Sequence, residues 1–145
     1  MNEMCNYDRL KLENQLCFPL YACARKVVNH YTPYLKPLGL TYTQYIVFLV
    51  LWEEKCVQVK DLCKKLHLDS GTLTPLLKKM EEAGYVTRER CHEDERVLTV
   101  TVTEKGMALR EQAKEIPEKI GRCVPLDEKE AKELYRLLYQ LLDYE

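Results

Sequence analysis

The stretch from Leu68 to Tyr85, LDSGTLTPLLKKMEEAGY, carries two faces that a single helix separates. Leu73, Leu76, Leu77 and Met80 recur at i, i+3, i+4 and i+7, one stripe of an amphipathic helix, and that stripe demands a core. The other side holds Ser70, Gly71, Thr72, Thr74, Pro75 and Lys78, with no large apolar group and no acid before Glu81. Such a face suits close approach to something polar and anionic. Asp69 or Ser70 caps the start, because either side chain accepts from the free N–H groups of the first turn, and Gly84 takes the left-handed conformation just past the end. The expected element is short, bounded and positioned.

Length and composition set the frame around it. A chain of 145 residues suits one domain with a real core. Charged residues make up 31% and apolar ones 46%, as in an ordinary soluble protein. No apolar run approaches the roughly 18 residues of a membrane span, and the start MNEMCNYDRLK lacks the apolar centre of a signal peptide, so the expected compartment is the cytoplasm and no membrane partner is expected. The seven cysteines, at 5, 17, 23, 56, 63, 91 and 123, are odd in number and show no C-x-x-C pair. Neither a disulfide framework nor a metal site is expected, and no cofactor. The net charge of −1 does not announce a nucleic-acid binder, and Lys55 to Arg96 holds only nine Lys/Arg against eight Asp/Glu. The case for DNA therefore rests on arrangement.

Taken in order, the first long helix is expected from about Leu10 to His30. Leu16, Leu20, Cys23 and Val27 form its stripe, which places Cys23 among the buried residues and Cys17 at the edge. Pro19 deletes a helical hydrogen bond there, so a kink or a late start close to Cys17 is expected. A break follows at Tyr31-Thr32-Pro33. Thr41 to Trp52 is the most apolar segment and reads as the central buried helix, capped by Thr41 or Thr43. Val59 to Leu66 buries Val59, Leu62, Cys63 and Leu66, and with the opening stretch it makes two short amphipathic helices joined by a tight turn, the helix-turn-helix pattern.

The period changes at Tyr85. Residues alternate from Tyr85 to Arg90 and again from Arg96 to Thr103, around a charged tip at Cys91 to Glu95. A two-stranded hairpin directly after a helix-turn-helix makes a winged helix. The helix face then fits the DNA major groove through Ser70, Thr72, Thr74 and Lys78, with Lys79 on the phosphate backbone, while Arg88, Arg90 and Arg96 stand on the wing side, Arg96 poised for the minor groove. Another helix is expected from Glu104 to Arg122, interrupted near Pro117. Asp127 with Glu130 opens the last one as a capping box, and Leu134, Leu137, Leu138, Leu141 and Leu142 give it a broad leucine stripe. One winged-helix core does not cover this stripe and the first helix as well. The expected architecture is mostly α with a small β-wing: a winged helix-turn-helix over about 41–103, and helices over about 10–36 and 104–145 that pack against their copies in a homodimer. Two reading helices about 34 Å apart suit a palindromic operator.

At this point the residues resemble the MarR family of bacterial transcription regulators, across essentially the whole chain. LDSGTLTPLLKKMEEAGYVTR, then DER, then LTVTVTEKG carry the likeness. LENQLCFPLYA near the start, with HYTPYL and GLTYTQY, resembles the organic-hydroperoxide-sensing, OhrR-type branch more closely. The resemblance implies that Cys17 is a peroxide-reactive thiol and that Tyr31 and Tyr42 hydrogen-bond to it. An ordinary thiol is only about 3% thiolate at pH 7, and phenol hydroxyls donating to sulfur favour that reactive form. Cys123 resembles in placement the resolving cysteine that some members use to form an intersubunit disulfide, where others use small cellular thiols. Pro19 departs from the branch pattern.

Plainer readings stand beside these. By spacing alone Cys17 is a packed helix thiol, and only the ENQLC context reverses that. Tyr31 and Tyr42 also fit as core aromatics with a hydroxyl at the rim, Lys78 and Lys79 as solvated helix charges, and Arg96 as an ion-pair partner of Asp94. The expected function is a dimeric repressor released from double-stranded DNA when an organic hydroperoxide or related oxidant modifies Cys17. The alternatives are release by a small aromatic ligand, and, from a different class, a thiol peroxidase using Cys17 and Cys123.

Overall fold

A computed structural model describes residues 7–144. The chain divides into two compact units, one ending at Lys114 and one beginning at Glu115. The fold is mostly helical with a small antiparallel sheet, as expected.

In the first unit, α1 spans Cys17–Leu35, after two single helical turns at Asp8–Leu10 and Leu12–Asn14. The helix therefore starts late, at Cys17 and not at Leu10, and Pro19 explains why. It occupies the first turn, where its missing N–H would have had no helical acceptor in any case. The break expected at Tyr31-Thr32-Pro33 is absent: Pro33 lies within α1, close enough to the end that the helix runs on to Leu35. A single turn at Lys36–Leu38 and Gly39 lead into α2, Tyr42–Glu54. Thr41 and Gln44 close a capping box over its start, and Tyr45, Val47, Phe48, Leu51 and Trp52 are buried, so α2 is the central helix.

A strand absent from the sequence expectation follows. β1, Cys56–Gln58, pairs antiparallel with the second wing strand. α3 (Val59–Leu66) and α4 (Ser70–Glu82) come next, then β2 (Val86–Arg90) and β3 (Leu98–Val102). The sheet has the order β1-β3-β2, three strands where two were expected. Of the apolar residues of α3 only Leu62 is fully buried; Val59, Cys63 and Leu66 are half-buried. In α4 Leu73, Leu77 and Met80 are buried, and Leu76 is half-buried. Asp69 caps α4 by accepting from the N–H of Thr72 at 2.6 Å, and that contact holds its carboxyl below the usual range. The unit ends with α5, Glu104–Ala113, capped by Thr103.

The second unit holds α6, Ile116–Gly121, and α7, Glu128–Leu142. The helix expected over Glu104 to Arg122 is thus two, with Pro117 in the first turn of the second. Asp127 and Glu130 form the expected capping box on α7. Its leucine stripe is solvent-facing within the chain, with Leu134, Leu137, Leu141 and Leu142 all exposed. The stripe of α1 is open too: Leu16 is 80% exposed, Leu20 and Val27 are exposed, and Cys23, expected to be buried, is exposed with them. The apolar spacing is present, but among the described residues nothing covers the stripe.

Candidate nucleic-acid interface and sensor site

Helical geometry gathers the polar residues of α4. With Leu73, Leu77 and Met80 turned inward, Ser70, Gly71, Thr72, Thr74, Pro75, Lys78 and Lys79 are all exposed. The helix thus offers hydroxyls and two ammonium groups on a surface without bulky obstruction. Gly84, at φ +81°, ends the turn after α4 and sends the chain into β2.

The three wing arginines differ. Arg96 is 91% exposed and pairs with Asp94, whose carboxyl it holds below the usual range, through Nε at 3.1 Å and Nη2 at 3.3 Å. This bracing at the wing tip leaves the cation in solvent. Arg90 donates through Nη1 to the carbonyl of Glu95 at 2.7 Å and so ties the end of β2 to the loop at the wing tip. Arg88 turns inward to Glu81 of α4.

Cys17 is exposed at the first residue of α1. Tyr31 and Tyr42 meet with ring centroids 4.9 Å apart, and burial pushes both hydroxyls up from their ordinary pKa, Tyr42 adding to the effect on Tyr31. The structure adds Tyr45, which the sequence reading placed only in the core. Its ring lies 5.5 Å from Tyr31 and 6.3 Å from Tyr42, and burial followed by its two neighbours raises its pKa to about 12. Its position three residues after Tyr42 on α2 was the available signal. At neutral pH all three phenols are therefore protonated and able to donate.

The titration of this cluster is a direct check. The folded-state pKa of Tyr45 lies above the unfolded value near 10, so its contribution to stability is complete below about pH 10 and is lost as pH rises toward about 12. Absorbance at 295 nm against pH is expected to show exposed tyrosines ionising first and this cluster last, with unfolding accompanying the last phase. A single phase near pH 10 in the folded protein would contradict the burial of the cluster.

Cys17 and Tyr31 are not brought together within one chain. Both lie on α1, fourteen residues apart, which at 1.5 Å per residue is about 21 Å along the axis, several times the reach of a phenol ring. Cys123 lies in the second unit, exposed. Cys5 falls outside the described residues.

An exposed polar face on the second helix of a helix-turn-helix, beside a wing tipped by a braced arginine, defines the class: a winged-helix, DNA-binding transcriptional regulator. The comparisons with known proteins are specific. Residues 29–113 match the family described as Transcriptional regulator SarA/Rot. The chain is 46% identical over 137 residues to the organic hydroperoxide resistance transcriptional regulator of Bacillus subtilis, covering 94% of this chain and 93% of the relative. It resembles AbfR of Staphylococcus epidermidis in two solved states. Reduced and bound to DNA, AbfR is 40% identical with a TM-score of 0.77, over 95% of this chain and 97% of that one. In its disulfide-formed state it is 38% identical with a TM-score of 0.64, over 94% and 96%. A mutant MarR of E. coli complexed with operator DNA shares the fold, with a TM-score of 0.81 at 23% identity, over 95% and 99%. The chain belongs to the SarA/Rot family of transcriptional regulators and is a relative of the organic hydroperoxide resistance regulator. These relatives are regulators, which sets aside the thiol-peroxidase alternative. Among the described residues no helix is long and apolar enough to cross a membrane.

Proposed function

We propose that two copies of this chain form a cytoplasmic repressor that binds a palindromic operator and releases it when an organic hydroperoxide oxidises Cys17. The observation that carries this reading is the separation on α1. Tyr31 and Tyr42 stand together with their hydroxyls protonated, yet Tyr31 is about 21 Å along the helix from Cys17. If these phenols donate to the sulfur, they come from the second copy. The exposed stripes of α1 and of α7 supply the apolar surface such a dimer buries. Helices 10–36 and 104–145 are thus assigned to dimerisation and 41–103 to DNA.

The chemistry follows from Cys17 being exposed and first in its helix. An exposed sulfur at that position is open to a peroxide, and the thiolate is the form that attacks. The thiolate attacks the nearer peroxide oxygen; the O–O bond breaks, the alkoxide leaves and takes a proton as an alcohol, and Cys17 becomes a sulfenic acid. The Cys123 thiolate of the second copy then attacks that sulfur, and water leaves as the disulfide forms. The sulfur loses its acceptor role toward the tyrosines, the dimer helices shift, and the two reading helices change their spacing. Ser70, Thr72, Thr74 and Lys78 are assigned to the major groove, Lys79 to the backbone and Arg96 to the minor groove. Arg90, tied to Glu95, shapes the wing.

Operator binding by fluorescence anisotropy, at fixed salt because phosphate contacts make affinity steeply salt-dependent, tests the reading with cumene hydroperoxide as the signal. Release with a dimer-sized band on a non-reducing gel is the expected result. Cys123→Ser is expected to abolish that band and to leave a Cys17 sulfenic acid that dimedone traps. An unchanged band in Cys123→Ser would remove Cys123 from the mechanism.

A further inference from the structure

The last turn of α4 and the first strand of the wing are joined by one side-chain pair. Glu81, on α4, accepts through one carboxylate oxygen from the backbone N–H of Arg88 in β2 at 3.0 Å, and through the other from the Arg88 guanidinium Nη2 at 3.2 Å. The Arg88 side chain is only 20% exposed, and its Nε is buried with no hydrogen-bond partner among the described residues. A cation in that position faces the protein, and its charge is met by Glu81, which Arg88 in turn holds ionised below the usual carboxylate range.

Two further side chains close the same junction from α5 and its cap. Thr103 donates its hydroxyl to the carbonyl of Gly84 at 2.6 Å, and Lys105 donates to the carbonyl of Ala83 at 2.7 Å. Those bonds fix the turn after α4. Glu81 with Arg88 is the side-chain link that runs from the helix itself to the wing strand.

We propose that Glu81 and Arg88 are positioning residues that lock the wing to α4, so that the two DNA-reading elements of each copy meet the duplex as one rigid body. This rests on α4 and the wing being the reading elements. It replaces the expected place of Arg88 among the DNA-contacting residues of the wing side, and it confines any signal-driven change to the relation between two such bodies, leaving the angle within each unchanged. Two rigid bodies with a fixed internal angle are sensitive to small changes in their spacing, because the wing cannot compensate for a displaced helix.

The two roles of Arg88 predict opposite behaviour. A phosphate ligand replaced by glutamine lowers the slope of log affinity against log salt by about 0.9. On the same view Glu81 is an unfavourable acid near DNA, and Glu81→Gln tightens binding. The positioning role predicts that Arg88→Gln and Glu81→Gln each weaken operator binding by about tenfold, that the salt slope of each matches wild type, and that the double variant binds no worse than either single one, the mark of a coupled pair. Anisotropy titrations at several salt concentrations, on protein shown folded by circular dichroism, read all three. Glutamine at 81 keeps the size of the side chain and its acceptor for the Arg88 N–H, so that variant carries the test through the sign of its effect even where Arg88→Gln fails to fold. A reduced slope for Arg88→Gln, or equal or tighter binding for Glu81→Gln, overturns the proposal. Lys78→Ala serves as the control: a reduced slope there, together with a failed pair test, sinks the lock alone, whereas an unchanged slope and affinity sinks the assignment of α4 to DNA.

Discussion

Cys17→Ser is expected to bind the operator within about twofold of wild type and to stay bound at a cumene hydroperoxide concentration that weakens wild-type binding by more than a hundredfold, a coupling of about 3 kcal/mol. The first half follows from exposure. Cys17 fills no core position, and serine in the first turn of α1 is at least as compatible with a helix start. The second half follows from chemistry, since a hydroxyl is not ionised at neutral pH and does not displace an alkoxide from a peroxide. The remaining cysteines make the test selective: Cys23, Cys56 and Cys91 are accessible to some degree and stay in the variant. If Cys17→Ser is released as readily as wild type, oxidation at Cys17 is not the signal, and release by a small aromatic ligand becomes the better account. The same variant offers a positive control, because its DNA affinity and salt slope report the reading heads without the sensor.

Local signals carried most of the fold. The caps on α2, α4 and α7 were readable because a cap and its partner lie within four residues, and the buried stripe of α4 because helical periodicity is a local property. What escaped depends on distant partners. β1 is three residues long, too short for alternation to declare it, and exists through pairing of Val57 with Val100 across more than forty residues. Lys55 at φ +64° and His67 at φ +52° hold backbone conformations that their side chains do not advertise. The stripe of α1 shows the limit of periodicity: it announces an apolar face and says nothing of what covers it. The candidate site divides in the same way. The face of α4 follows from helical spacing, whereas the inward turn of Arg88 depends on Glu81, seven residues earlier and in another element. The grouping of Cys17 with Tyr31 and Tyr42 rests on family resemblance alone, because Cys17 and Tyr31 stand about 21 Å apart along α1 and no spacing along the chain unites them.

Gly106→Ala is expected to destabilise the protein by about 2 kcal/mol or more and to lower its melting temperature by several degrees, against what helix propensity suggests. Propensity alone favours alanine in a helix by up to about 1 kcal/mol. Packing opposes it. A Cβ on Gly106 would collide with the carbonyl oxygen of Tyr85 and lie 2.7 Å from a methyl of Val102, with the Phe48 ring at 3.3 Å. A methyl at Val102 has a rotamer to move to; a backbone carbonyl does not. That carbonyl already accepts from the N–H of Thr103 at 2.9 Å, so moving it strains the bond that joins the end of the α4 turn to the start of α5. The other side of Gly106 is fixed as well, its own carbonyl accepting from the indole of the buried Trp52 at 3.0 Å. The helix therefore cannot simply back away from Tyr85 without breaking a buried hydrogen bond at a cost of about 1 kcal/mol or more. Overpacking of this kind costs about 1–3 kcal/mol, and contact with backbone puts Gly106 at the upper end. Thermal unfolding followed by circular dichroism decides between the two effects: a melting temperature equal to or above wild type would show that α5 is free to shift.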